Sequence, residues 1–235
     1  MRILRIGAGA LISLTVVLLF SSCSKKHDKE EPLVITPTVN PIPYSVLVYF
    51  ITPSDKTFNA DYYRAAKTAI LGLQGYYKTQ LGNKTFVLNP VVVDTFTSQH
   101  NSSWFNSNNG DSISGSGSTY AYYNTKFALQ QYLGSKFDTA MYTYFAYVQA
   151  DFPDETIPRG LAAEGMANLI GLTGQFPGSW TGADGHALGH AFGLHEPNTE
   201  TANGIMSLGW PNYPNCVFTQ VEKDSLNMSP FLQTQ

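Results

Sequence analysis

His186 and His190 stand four residues apart in the stretch Gly185-His186-Ala187-Leu188-Gly189-His190-Ala191-Phe192-Gly193-Leu194-His195-Glu196. On a helix that spacing stacks both imidazoles on one face, about 5–6 Å apart at Cβ, where a single zinc ion can take both. Two ligands leave zinc under-coordinated, so a third must come from just beyond the helix. His195 and Glu196 are the side chains placed to supply it, and the spacing leaves both open. Gly193 fits the left-handed turn that would end the helix and redirect the chain toward them. Asp184 reads as the N-cap of a helix beginning near Gly185. Between the two histidines, Ala187 offers a methyl group where proton transfer would call for an acid or base.

The elements that must position these residues can be read from the pattern upstream. Tyr44 to Ile51 is a nearly continuous apolar run, as expected of a strand covered on both faces. Asn59 can cap a helix whose apolar positions Tyr62, Ala66, Ala69, Leu73 and Tyr77 repeat at helical spacing, with Gly82 ending it. Thr85 to Phe96 reads as a second strand region that Pro90 assigns to an edge or a bulge. The Ser/Asn/Gly-rich run from 99 to 118 reads as loop, with His100 and Trp104 as surface residues. Thr119 to Leu133 predicts a second helix closed by Gly134, and Ala140 to Gln149 a central strand. The small residues of Gly160 to Leu172 are read as a short edge strand. Thr219 and Glu222 form a capping box for a last helix. This alternation predicts an α/β sandwich on a mixed sheet.

Composition bounds the setting. The chain has 235 residues, enough for one domain with a leader and a linker, and 43% of them are hydrophobic, enough for a sizeable core. Charged residues make up only 13% and the net charge is −3 with no basic cluster in the folded part, so nucleic acid is excluded as a partner. Arg2 and Arg5 precede an apolar run from Ile6 to Phe20, too short for a membrane span of about 20 residues. Phe20-Ser21-Ser22-Cys23 resembles a bacterial lipobox, with Phe20 in place of the usual leucine. Residues 1–22 are thus expected to be a lipoprotein signal peptide, with Cys23 lipidated, 23–43 a solvated tether and 44–235 the folded domain. That places the protein in a bacterial cell envelope, anchored through Cys23 and facing the periplasm or the exterior. The second cysteine, Cys216, reads as a structural thiol.

The histidine cluster and the residues after it resemble the metzincin-type zinc metallopeptidases, whose pattern is H-E-x-x-H-x-x-G-x-x-H and then a methionine turn. Asn203-Gly204-Ile205-Met206-Ser207 is similar to that turn. More narrowly, the last 55 or so residues resemble a group of bacterial secreted proteins. Those carry a G-H-E-L-G-H-A-F-G-L-P-H-P helix, the Met-turn, a Tyr-Pro segment and a terminal Ser-Pro-Phe, which here read Gly185 to Pro197, Ile205-Met206, Tyr213-Pro214 and Ser229-Pro230-Phe231. The resemblance implies a metzincin-like mixed twisted sheet with flanking helices, a Zn2+ cofactor and peptide-bond hydrolysis by a monomer acting on a peptide or protein. It implies Met206 as an apolar floor beneath the ligands and Tyr213 as a candidate oxyanion stabiliser.

Two departures from the pattern matter. The family's third histidine falls ten residues after the first, where this chain has Glu196, while His195 falls at nine. Ala187 replaces the glutamate that, in the family, takes a proton from the attacking water and passes it to the leaving amine. Losing a positioned acid/base lowers a rate by about 10²–10⁴-fold. Glu164, or whichever of His195 and Glu196 is metal-free, is the available substitute. The expectation is therefore a zinc-binding metallopeptidase scaffold with weak hydrolysis. The alternative is an inactive pseudo-peptidase that binds peptides or glycans.

Overall fold

The computed structural model describes residues 41–108, 117–152 and 160–235. The expected signal peptide, Cys23 and the expected tether up to residue 40 lie outside the described residues. Within them runs the order β1 (Ser45–Thr52), α1 (Ala60–Gln80), β2 (Lys84–Leu88), β3 (Asp94–Thr97), α2 (Gly117–Leu133) and β4 (Tyr142–Val148). It continues with β5 (Leu161–Glu164), α3 (Met166–Thr173), α4 (Pro177–Ala191), α5 (Gln220–Asn227) and β6 (Leu232–Thr234).

The sheet is mixed. β1 lies between β4 on one side and β2 and β3 on the other, each parallel to it; β5 extends the sheet beyond β4 in parallel, and β6 joins β2 antiparallel. All eight residues of β1 are buried, as its continuous apolar run requires. Its side chains alternate between two cores. Val46, Val48 and Phe50 pack with α1 and α4, whereas Leu47, Tyr49 and Ile51 pack with α2. β4 divides the same way, with Phe145 and Tyr147 against α1 and α4, and Tyr144, Ala146 and Val148 against α2. Helices therefore cover both faces of one sheet, which is the metzincin-like α/β architecture.

Local signals set most of the boundaries. The Asn59 side chain accepts from the backbone N–H groups of Asp61 and Tyr62, a cap that stabilises α1 by about 1 kcal/mol. Gly82, at φ 62°, turns the chain after α1, and Gly134, at φ 56°, turns it after α2. Thr219 and Glu222 form the reciprocal capping box at the start of α5.

Three expectations are corrected. The second strand region is two strands, because Pro90 breaks the run and β2 and β3 pair with successive parts of β1. The segment from Gly160 is a strand only as far as Glu164; from Met166 it is helix α3, whose Leu169 and Leu172 bury on the α1 side of the sheet. Asp184 is not an N-cap. Helix α4 starts at Pro177, a residue suited to the first helical position, which leaves Asp184 fully buried in the helix interior.

Candidate metal centre

Helix α4 contains four glycines, at 178, 182, 185 and 189, each less favourable than alanine by about 1 kcal/mol in a helix interior. Close packing explains three of them. A Cβ at Gly182 would sit 1.9 Å from the Trp210 carbonyl oxygen, and one at Gly185 would sit 2.8 Å from both Leu73 and Ile205. At Gly189 it would lie 2.3 Å from the Met206 sulfur. The helix can approach α1 and the 205–213 segment this closely only where side chains are missing. Met206, fully buried, thus lies directly against the turn of α4 that joins the two histidines.

The helix ends in a complete Schellman motif. Gly193, at φ 100°, donates to the His190 carbonyl at 2.7 Å, and Leu194 donates to the Gly189 carbonyl at 3.0 Å. The turn sends the chain back along α4, so that residue 196 returns to the level of the histidines. Glu196 Oε1 lies 3.1 Å from His186 Nε2 and 3.2 Å from His190 Nε2, and the two nitrogens are 3.0 Å apart. His195, the other candidate third ligand, points elsewhere. It is exposed and lines a surface groove with Thr139, Gly160 and Phe231.

The hydrogens on the two rings are fixed by their partners. His186 Nδ1 is 2.9 Å from the Ile205 carbonyl and His190 Nδ1 is 2.9 Å from the Leu194 carbonyl. Carbonyls only accept, so each Nδ1 carries the hydrogen and each neutral ring turns an Nε2 lone pair toward the other. Two lone pairs and a carboxylate oxygen at such distances repel unless a cation lies between them. A proton between them would charge one of the rings, which burial disfavours at His186. Desolvation pushes the His186 pKa below the ordinary histidine value, and the neighbouring His190 adds to that; the Ile205 carbonyl and Glu196 oppose it in part.

Zinc fits the arrangement better. Tetrahedral bonds of about 2.0–2.1 Å place ligand atoms about 3.3–3.4 Å apart, close to the triangle of 3.0, 3.1 and 3.2 Å seen here. The carbonyls on both Nδ1 atoms are the outer partners that orient metal-binding histidines. His186, His190 and Glu196 are the one such ligand group among the described residues. The Glu196 side chain is 64% exposed, so the cluster opens to solvent.

The remaining candidates fall outside this triangle. Ala187 is 2% exposed, its methyl part of the apolar core that α4 shares with α1 and the sheet. Glu164 is buried on β5 opposite Tyr147 of β4. The Tyr213 ring packs on Tyr76 at 5.3 Å between centroids, and a Cβ at Gly72 of α1 would lie 3.2 Å from its hydroxyl. Burial raises the Tyr213 pKa, with Cys216 and Asp184 contributing. Cys216 is buried, its thiol pushed up by desolvation, and Tyr76 donates to its carbonyl at 3.1 Å. His100 and Trp104 stack on each other at 3.7 Å beside α2.

A feature missed in the sequence is the bond set of Asp184. It accepts from the Tyr147 hydroxyl at 2.6 Å and from the Asn168 side-chain amide at 2.7 Å. The signal that could have found it is a carboxylate within the Gly/Ala-rich stretch ahead of the histidine pair.

No protein-family model and no curated protein matches the sequence. Solved structures share the fold, OgpA among them. Wild-type OgpA from Akkermansia muciniphila aligns with a TM-score of 0.62 at 13% identity, over 86% of this chain and 65% of that one. Catalytically inactive OgpA from the same organism, in complex with the O-glycopeptide substrate glycodrosocin, aligns with a TM-score of 0.57 at 14% identity, over 85% of this chain and 64% of that one. At such identity the likeness is one of fold, and the chain spans just under two thirds of the length of OgpA.

Proposed function

We propose that this chain is a zinc-binding, peptidase-fold protein of the bacterial cell envelope. It engages peptides or glycopeptides and hydrolyses them slowly, because position 187 carries no proton-transfer group. The observation that carries the reading is the meeting of His186 Nε2, His190 Nε2 and Glu196 Oε1 within 3.2 Å, with both Nδ1 atoms held by backbone carbonyls. The ligand class rests on the fold shared with OgpA, which was solved with an O-glycopeptide. The leader pattern supports a lipid anchor at Cys23 and a tether up to residue 43 that presents the domain 44–235.

His186, His190 and Glu196 would hold the metal, while Met206 closes the space behind them. Zinc, when bound, supplies a Lewis acid that polarises a carbonyl and activates water. The two carbonyls on Nδ1 keep both rings in the tautomer that offers Nε2. Glu196 adds one negative charge on the solvent side. The Ala187 methyl neither accepts nor returns a proton, which corresponds to a rate lower by about 10²–10⁴-fold than with a positioned base. A second reading, a pseudo-peptidase that binds without cleaving, is favoured by the burial of that methyl at 2% exposure.

Zinc analysis together with glycopeptide and peptide cleavage by the native protein and Ala187→Glu separates the readings. Bound zinc, slow native turnover and a gain of about 10²-fold or more in the folded Ala187→Glu variant is the expected result. Equal cleavage by both proteins would remove the role given to Ala187. Binding without cleavage by either supports the pseudo-peptidase, and absence of zinc at neutral pH sinks the metal-dependent reading altogether.

A further inference from the structure

The buried carboxylate of Asp184 has no part in the ligand triangle. It lies two residues before His186, about 200° around the helix from it, on the side of α4 that faces the sheet. It is 0% exposed, and its oxygens accept from Tyr147 of β4 at 2.6 Å and from Asn168 of α3 at 2.7 Å. One side chain therefore ties the metal-site helix to the sheet and to the preceding helix. We propose that Asp184 is a positioning residue: through Tyr147 and Asn168 it fixes the rotation of α4, so that His186 and His190 meet Glu196 in a geometry that holds zinc. This rests on the metal-binding reading above.

The tie acts beside the hydrogen bond that the Tyr77 hydroxyl of α1 donates to the Gly185 carbonyl at 3.0 Å. Trp180 and the fully buried Leu188 interlock with the core, while several close contacts of α4 run through Gly182, Gly185 and Gly189, which carry no side chain. Apolar contact of this kind is non-directional and resists sliding or rotation weakly. Hydrogen bonds to a carboxylate are short and directional. A rotation of about 20° moves a side-chain tip at a radius of about 5–6 Å by roughly 2 Å. Both imidazoles ride on α4, so such a rotation keeps them together but carries them through most of the 3.1–3.2 Å that separates each from Glu196 Oε1.

Zinc affinity at neutral pH, by competition with a chromophoric chelator, and the visible spectrum of the Co2+-substituted protein test the assignment. Asp184→Asn keeps the shape and removes the charge; Tyr147→Phe removes one hydrogen bond and leaves the aspartate, so it serves where the asparagine variant folds poorly. Leu129→Ala, in the core on the α2 side of the sheet, provides a destabilised control. The expected result is zinc bound about 10–100-fold more weakly in Asp184→Asn and Tyr147→Phe, with an altered cobalt spectrum, while Leu129→Ala binds as the native protein does. Unchanged affinity and spectrum in both folded variants would overturn the positioning role alone. Equal weakening in Leu129→Ala would also overturn it, since general destabilisation would then suffice. A native protein that binds no zinc would instead sink the metal reading on which this inference rests.

Discussion

Histidine occurs in two contrasting settings on opposite faces of the sheet. On the α4 side, His186 and His190 keep their hydrogens on Nδ1, bonded to backbone carbonyls, and aim bare Nε2 atoms at each other and at Glu196. On the α2 side, His100 lies flat on Trp104, with 3.7 Å between centroids and 8° between planes, and its Nε2 is 2.9 Å from the Gln131 amide oxygen. An amide oxygen accepts, so that nitrogen carries the hydrogen and offers no lone pair. The residue type is the same, and the partner of the second ring nitrogen decides what it can do.

Removing a ligand is the strongest way to probe this contrast. His186→Ala and His190→Ala are each expected to weaken zinc binding by more than about 100-fold, beyond the loss associated with outer partners. His100→Ala should leave zinc affinity unchanged and lower stability by roughly 0.5–1.5 kcal/mol, the worth of an aromatic pair. Chelator competition and chemical denaturation on the same samples read both quantities. Loss of zinc in the His100 variant would break the comparison.

A smaller effect separates the two candidate ligands beyond Gly193. Glu196→Gln replaces an anionic ligand with a neutral amide and should weaken zinc by about 10–100-fold, while His195→Ala should have no effect. Zinc titration of the two variants side by side checks this, and the opposite ranking would move the third ligand to His195.

The smallest expected effect is a pH slope in the metal-free protein. Unfolded, His186 titrates near about 6.5; folded, burial holds it lower. Between the two values the unfolded chain binds the proton and the native one does not. Its contribution to stability is therefore complete above about pH 6.5 and is lost as the pH falls through the folded value. Denaturation at about pH 7.5 and about pH 5.5 should show lower stability at the acid end, with a shallower difference in His186→Gln.

Much of this was legible in the chain because it depends on local spacing. The four-residue separation of His186 and His190, the capping residues Asn59 and Thr219, and the turn at Gly193 act within one or two helical turns. The continuous apolar runs of β1 and β4 show directly that both faces of the sheet are covered. Other features were hidden for identifiable reasons. The glycines at 178 and 182 depress helix propensity, so α4 reads as beginning near Gly185 with Asp184 as its cap, although close packing at Gly182 overrides propensity and the helix reaches back to Pro177. β6 is three residues long and defined only by its pairing with β2, so no pattern announced it.

The sequence by itself determined that two imidazoles share one helical face, that a glycine turn comes after them, and that no acid or base stands at position 187. These are properties of residue identity and short-range geometry. Which of His195 and Glu196 returns to the imidazoles was decided by the tertiary structure, because one residue more or less after the Gly193 turn reverses the side chain's direction. The place of Asp184 was decided there too: its partners, Tyr147 and Asn168, lie 37 and 16 residues away in the chain, and only the packing of α4 against β4 and α3 brings them within hydrogen-bond distance.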